Sequence, residues 1–245
     1  MKVIDLNCDL GEGYEDEKLF PYISSCNIAS GGHYGDKNSI RKAIQGALNN
    51  KVAIGIHPGY PDKENFGRKS MDISLQELKN SLTQQIELFL EICKELGTIP
   101  THIKPHGALY NDLAVNLEFS QEIFGVFKRL LPEVFIFGLS ESATQKAASK
   151  LGLPFINEVF SDRAYTKEKT LVPRTEKGAI ISDWSKMKTQ VDGLLKGTIS
   201  TIDGQTINLK AQSFCLHGDS PNAVENSRKI YEYVKSQGYG VRSYR

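Results

Sequence analysis

Residues 25–60, SCNIASGGHYGDKNSIRKAIQGALNNKVAIGIHPGY, hold two short apolar runs on either side of one amphipathic stretch. The runs, SCNIAS (25–30) and VAIGI (52–56), are of strand length and are bounded by turn-forming residues. Between them, Asp36 to Asn49 carries Ile40, Ala43, Ile44 and Ala47 at steps of three and four, which is one face of a helix. A strand, a helix and a second strand in that order are the crossover unit of a parallel sheet. The same alternation runs through the chain: VIDLN (3–7), THIK (101–104), VFIFG (134–138), FINEVF (155–160) and QSFCL (212–216) are five further strand candidates. Seven strands joined by crossovers predict an α/β fold, a distorted TIM-like (β/α) barrel of seven parallel strands, forming one domain over residues 1–245.

Three more segments repeat the helical period. Ser74-Leu-Gln-Glu77 is a capping box, and Leu75, Leu78, Leu82, Ile86, Phe89, Cys93 and Leu96 follow until Gly97. Asp183 to Lys196 carries Trp184, Met187, Val191 and Leu194, and Pro221 to Gln237 carries Val224, Ile230 and Val234. These stripes read as core packing. Residues 198–209 (TISTIDGQTINL) break the rhythm, because two alternating runs flank Asp203-Gly204, a type I′ turn signal, so a β-hairpin is expected as an addition to the barrel. Residues 161–178 are polar and long for a connection, which marks a surface excursion or a lid.

With 30 Lys+Arg against 29 Asp+Glu among 245 residues, the chain has no excess of positive charge to neutralise a phosphate backbone, so nucleic acid is not an expected partner. No apolar run is long enough for a membrane span, and Met1-Lys-Val-Ile-Asp5 is too polar for a signal sequence, so a cytoplasmic location is expected. Cys8, Cys26, Cys93 and Cys215 are scattered without a C-x-x-C pair, which argues against a zinc knuckle or a disulfide framework.

The five histidines fall at GGHYGD (His33), GIHPGY (His57), THIKPHGALY (His102, His106) and CLHGDS (His217). Four of them, all but His102, have a glycine within the next two positions and sit between a strand candidate and a helix. That junction is the C-terminal end of a barrel strand, where the loops of such folds carry the active site. Asn7 and Asp9 share one side of the first strand by alternation, and Lys104 and His106 share a side around Pro105. Cys8, between Asn7 and Asp9, reads as a small buried hydrophobe. Glu158, Asp162, Arg163 and Asp219 belong to the same rim, and Phe66-Gly67-Arg68-Lys69 lies in the loop after His57. Neither a phosphate-binding loop ending in Gly-Lys-Ser/Thr nor a G-x-G-x-x-G is present, and Ser30-Gly31-Gly32-His33 is at most a small anion nest.

Together, DLNCDLGEG (5–13), SCNIASGGHYGD (25–36), IGIHPGYPD (54–62), FGRK (66–69), HIKPHGALYN (102–111), EVFSDRAY (158–165), LVPR (171–174) and CLHGDSPNAV (215–224) strongly resemble the LamB/YcsF family. The resemblance spans residue 5 to about 240 with its motifs in order. It departs from the family pattern at Ser30, Gly32 and Tyr34, at Lys69, and just before LVPR. It implies a barrel of the glycoside hydrolase/deacetylase type that works as the A subunit of bacterial ATP-dependent 5-oxoprolinase, which opens 5-oxo-L-proline to L-glutamate. The implied partners are subunits B and C, with ATP as a co-substrate carrying Mg2+ and no tightly bound cofactor. On this basis Asp9, His33, Lys104 and His106 are expected to be catalytic, and Asn7, His57, Arg68, Asp162, Arg163, His217 and Asp219 to bind substrate, with no metal ligand assigned. Two other readings stay open: a metal-dependent deacetylase or amidohydrolase using Asp9, His33 and His57, and a non-catalytic subunit that delivers the lactam.

Overall fold

The computed structural model describes residues 2–220 and 222–244. In chain order the first half contains β1 (Val3–Leu10), two 3₁₀ turns (Asp16–Lys18 and Phe20–Tyr22), β2 (Ser25–Ala29), α1 (Lys37–Asn49), β3 (Ala53–His57), α2 (Leu75–Glu95), β4 (His102–Ile103), α3 (Gly107–Val115) and α4 (Leu117–Leu130). The second half contains β5 (Phe135–Leu139), α5 (Ala143–Leu151), β6 (Phe155–Phe160), α6 (Trp184–Lys196), β7 (Thr198–Ser200), β8 (Thr206–Asn208), β9 (Ser213–His217), α7 (Ala223–Ser236) and β10 (Gly240–Val241).

The strands β1 to β6 and β9 pair in parallel and in sequence, and β9 returns to β1 through the register Asp5↔Ser213 to Asp9↔His217. The result is a closed barrel of seven parallel strands surrounded by helices. β10 adds outside the ring, parallel to β1, and β7 and β8 form a separate antiparallel hairpin. In that hairpin Gly204 alone has the left-handed backbone (φ +82°) while Asp203 does not, so the type I′ turn expected at Asp203-Gly204 is absent. Instead Thr201 and Gln205 close a three-residue loop that ends on Gly204, the bulged alternative for a hairpin.

Local chemistry places the helices. Asp36 accepts from the Asn38 and Ser39 amides to start α1, the Ser74–Glu77 capping box starts α2, and Asp183 starts α6. The predicted start of the last helix at Pro221 lies outside the described residues. Helices α3, α4 and α5 were not singled out by the sequence period. α3 is buried through Ala108, Leu109, Tyr110, Leu113 and Ala114, so it has little polar face to create a period, and α5 offers mostly small residues, Ala147 and Ala148, to the core.

Alternate strand residues divide the barrel into two environments. Cys8, Leu10, Cys26, Ile28, Ile54, Ile56 and Ile103 pack with Ile40, Ile44, Leu82, Ile86 and Phe89 of the helices. Ile4, Leu6, Val159, Phe214 and Leu216 pack with Met187, Val191, Ile230 and Val234, with Trp184 against the same cluster. The other strand positions hold polar side chains, among them Asp5, Asn7, Asp9, Asn27, His102, Lys104, Glu158 and Ser213, all buried and bonded to one another.

Glycine provides a test of this packing. A methyl group on Gly55 of β3 would meet the His102 ring at 2.1 Å, whereas one on Gly125 of α4 meets nothing within 4 Å. We expect Gly55→Ala to lower stability by ~1–3 kcal/mol through overpacking. Gly125→Ala should raise it by ~0.5–1 kcal/mol by improving helix propensity. Urea denaturation of the two variants checks both signs.

Candidate active site

The polar interior is built upward from the N-terminal ends of the strands. Asp5 accepts from the hydroxyls of Ser24 (2.6 Å), Ser25 (2.7 Å) and Ser213. Asn7 donates to Ser213 (2.7 Å) and Glu158 (3.0 Å) and accepts from Asn27 (2.8 Å). At the next level Lys104, only 2% exposed, places Nζ 2.8 Å from Asp9, 3.0 Å from Glu158 and 3.1 Å from the Cys215 sulfur. Burial opposes the charge on Lys104, but Asp9 and Glu158 outweigh it and hold the ammonium well above its usual range. Burial likewise opposes the Asp9 carboxylate, and His57 and Lys104 outweigh it to keep Asp9 well below the usual carboxylate range.

Hydrogen-bond partners fix the protons on two histidines. Nδ1 of His57 faces the Lys104 carbonyl at 2.7 Å, and Nε2 of His106 faces the Phe66 carbonyl at 2.9 Å. A carbonyl only accepts, so both nitrogens carry hydrogen. The remaining nitrogens, His57 Nε2 and His106 Nδ1, face each other at 3.0 Å, a bond that requires one proton between them. Three N–H groups over two rings give the pair one positive charge. Burial, with His33 and His57 behind it, holds His106 well below the ordinary histidine range. His57 Nε2 also lies 3.3 Å from Asp9, which sets a carboxylate beside the shared position. His33 is sealed beneath, stacked on His106 at 3.5 Å and bonded at 2.9 Å to Glu12, whose carboxyl is pushed well up by burial and then by Asp9.

Above this floor opens a cavity of about 710 Å³, walled by Phe160, His217 and Tyr110 and rimmed by Arg68, Arg163 and Arg174. The segment after β6 forms one wall: Tyr165 and Val172 are buried, and the bridges Arg163↔Ile180 and Tyr165↔Leu171 give it a folded form. Arg163, 4% exposed, donates to the carbonyls of Ala179 and Val172 and has no carboxylate within ion-pair distance among the described residues. Arg68 pairs with Asp219, which Arg174 approaches at 3.7 Å. His217 bonds through Nδ1 to Asp162 at 3.0 Å.

A model of the LamB/YcsF family matches residues 4–245. The chain belongs to the LamB/YcsF family. It is 42% identical to the 5-oxoprolinase A subunit of Histophilus somni, covering 99% of each chain, and 37% identical to that of Bacillus thuringiensis subsp. konkukian, covering 98% of each. Among solved structures it is similar to a lactam utilization protein from Thermus thermophilus, with a TM-score of 0.91, 34% identity and full coverage of both chains.

In this member of the LamB/YcsF family, Asp9, His57, Lys104 and His106 meet on the cavity floor, and Arg68, Arg163 and His217 stand on its wall and rim. The structure does not bring His33, Asn7, Asp162 or Asp219 to the cavity surface; each instead bonds or stacks against a residue that does line it. His33 lies edge-on to His57, 5.6 Å between ring centroids, with Nε2 turned to Glu12, and Asp9, His33 and His57 are not among the groups of described residues whose donor atoms gather within 4.8 Å. Donor atoms of Asp9, Cys215 and His217 do lie within 4.8 Å of one another, but the Lys104 ammonium already contacts two of the three, so a cation there meets a resident positive charge. In a second such group, Glu12, His57 and His106, the two imidazoles already bond to each other. Sequence reasoning assigned no role to Glu12 or Arg174, although both lie in the motifs quoted above. The usable signal for Glu12 was its place just past β1, one residue beyond Gly11.

The base of the network gives a pH test. Burial pushes the Asp5 carboxyl up to about 6 from 3.8, against hydrogen bonds from three serines. Between those values the folded chain holds a proton that the unfolded chain has lost, so the Asp5 contribution falls as pH rises through that window, by ~3 kcal/mol in all, and is constant above it. The difference in unfolding free energy between wild type and Asp5→Asn should follow that slope when measured by urea titration from pH 4 to pH 7.

Proposed function

We propose that this chain is the A subunit of an ATP-dependent 5-oxoprolinase, converting 5-oxo-L-proline, ATP and two waters to L-glutamate, ADP and phosphate with subunits B and C. The observation that carries this reading is the match, over nearly the whole of both chains, to relatives that bear that name. The geometry supports it chemically. A five-membered lactam is a resonance-stabilised amide, so water attacks it slowly unless the carbonyl is activated. Phosphorylation of the lactam oxygen at the expense of ATP, with Mg2+ on the nucleotide, supplies the activation and a leaving group. The sequence holds no phosphate-binding loop, which favours the partners as the site of phosphoryl transfer.

Within this cavity Lys104 is the group for the developing negative charge, because its ammonium is preorganised by Asp9 and Glu158 and needs no reorientation during reaction. The His57–His106 imidazolium is the acid that protonates the departing ring nitrogen. Asp9 holds that imidazolium in place, and Glu12 and His33 support His106 from behind. Arg163, a buried cation without a carboxylate partner among the described residues, suits the substrate carboxylate. Arg68 and Asp219 sit at the entrance. The wall at 161–178 is the segment for closure or for docking of the partners.

A coupled assay for ADP and glutamate, with and without the partner subunits, tests the reading. The isolated chain should produce neither at a useful rate, and both should appear together in the assembly. ATP-dependent glutamate production by the single chain would refute the division of labour. In the assembly, His106→Ala, which removes half of the imidazolium acid, and Asp9→Ala, which removes the carboxylate that holds it, should each lower turnover ~10²–10⁴-fold, the range for loss of a general acid.

A further inference from the structure

We infer that His217 is the general base for the attacking water and that Asp162 is its positioning residue. The assignment rests on the ring-opening reading above. It begins from an inventory of lone pairs at the cavity. Asp9 Oδ1 already accepts from Asn27 and Lys104, each at 2.8 Å, and Oδ2 faces His57. The one nitrogen of His106 without a hydrogen of its own is taken up by His57. His33 and Glu12 are both buried, bond to each other and do not line the cavity. None of these can accept a proton from water without first breaking a bond of the floor.

His217 differs in each respect. Its Nδ1 donates to Asp162, while Nε2 has no hydrogen-bond partner among the described residues and the ring lines the cavity. Asp162 is itself fixed, accepting from the His217 backbone amide and the Ser220 hydroxyl, both at 3.0 Å. Burial opposes its charge, but His217 and these donors outweigh it and hold the carboxyl down at about 2, so it stays an acceptor and keeps the hydrogen of His217 on Nδ1. The His217 ring stacks on Phe160 at 5.4 Å, and the same phenyl ring has the Lys104 ammonium 5.3 Å from its centre. One apolar plate thus fixes both the open imidazole and the charge that receives the substrate oxygen. A carboxylate-oriented imidazole with a free nitrogen is the arrangement of a general base.

The step balances without any further reactant. Water forms its C–O bond at the former carbonyl carbon of the phosphorylated lactam, and its proton passes to His217 Nε2. The C=N π pair moves to the ring nitrogen, which takes the shared proton of the His57–His106 pair. The proton on His217 then passes to the same nitrogen as the C–N bond breaks, and the new hydroxyl returns its proton to the histidine pair as its C=O forms. The second water displaces phosphate from the resulting acyl phosphate to leave the glutamate carboxylate. Base and acid then stand on different parts of the cavity, the base at the end of β9 and the acid at the end of β3 and in the connection after β4.

Two measurements test this. In the chain alone, labelled with ¹⁵N-histidine, long-range proton–nitrogen correlations should show His217 with hydrogen on Nδ1 and none on Nε2, and Asp162→Asn should abolish that preference. A hydrogen on Nε2 in the wild type overturns the assignment. In the assembled enzyme, His217→Gln and His217→Ala should lower kcat ~10²–10⁴-fold while KM changes by less than about threefold, and added imidazole should restore part of the His217→Ala rate. A loss carried by KM, or a kcat within threefold of wild type, overturns it as well. A wild-type assembly that makes no glutamate would instead overturn the ring-opening reading, which keeps the two failures distinct.

Discussion

An ammonium ion buried inside a barrel governs the rest of this molecule. Taking Lys104 and its two carboxylates out of water costs several kcal/mol per ion, and attraction between them offsets that cost only with close geometry and further hydrogen bonds. Asp9 has such bonds on both oxygens and Glu158 on Oε1, its Oε2 having no hydrogen-bond partner among the described residues. The requirement propagates. Asp9 needs Asn27 and His57, Glu158 needs Asn7, Asn7 needs Ser213, and Ser213 leads down to Asp5. Six of the seven barrel strands contribute to this one network. Loss of a single member leaves an uncompensated charge or dipole, so the interior is held as a unit.

A barrel interior filled in this way contributes less to stability than layers of branched aliphatic side chains would. The apolar burial that stabilises the fold lies between strands and helices, in the two clusters around Ile44, Phe89 and Phe124 and around Val191, Phe214 and Val234. This separation explains why the polar interior persists. Strand residues of one parity supply the hydrophobic energy, and those of the other parity supply a fixed field. Lys104 and the His57–His106 pair contribute two positive charges, Asp9 and Glu158 two negative ones, and the floor is close to neutral while locally very polar. Such a field acts on a reacting carbonyl without the reorganisation that water would need.

The same parity explains what could be read from the sequence. The seven strand segments stand out because apolar and chemically active residues alternate within them, as in Asp5-Leu-Asn7-Cys-Asp9, and the register follows that alternation. The histidine–glycine junctions led to the end of the barrel where the cavity opens, and of their glycines Gly35 and Gly107 take the positive φ that a sharp exit needs. Other features left no such mark. His33 and His57 have the same local signature, yet one is stacked behind His106 and the other stands on the cavity floor. His102, which lacks the signature, is an internal strut on Asn27 and Phe137. Which nitrogen bears a proton depends on carbonyls of Lys104 and Phe66 that are brought together only by folding, so the charge on the histidine pair was not legible. Helix α3 has an open side, but that side carries apolar Val115 beside Asn111 and Asp112, so the contrast between faces on which a sequence reading relies is weak.

The distribution of charge from floor to rim also orients whatever enters. The floor pairs its positive and negative groups, whereas the rim carries Arg68, Arg163 and Arg174 against Asp219, and Arg163 answers to no carboxylate among the described residues. Burial and the neighbouring Arg174 lower the Arg163 guanidinium to about 10, so its charge stands in an unfavourable field that an incoming anion would offset. A molecule with one anionic end and one neutral amide therefore gains most with the anion toward Arg163 and the amide toward Lys104. The reverse placement sets its carboxylate beside Asp9 and Glu158 and leaves Arg163 uncompensated. Under the ring-opening function proposed above, this gradient along the depth of the cavity is what would hold the lactam bond over the buried ammonium while the carboxylate stays at the rim.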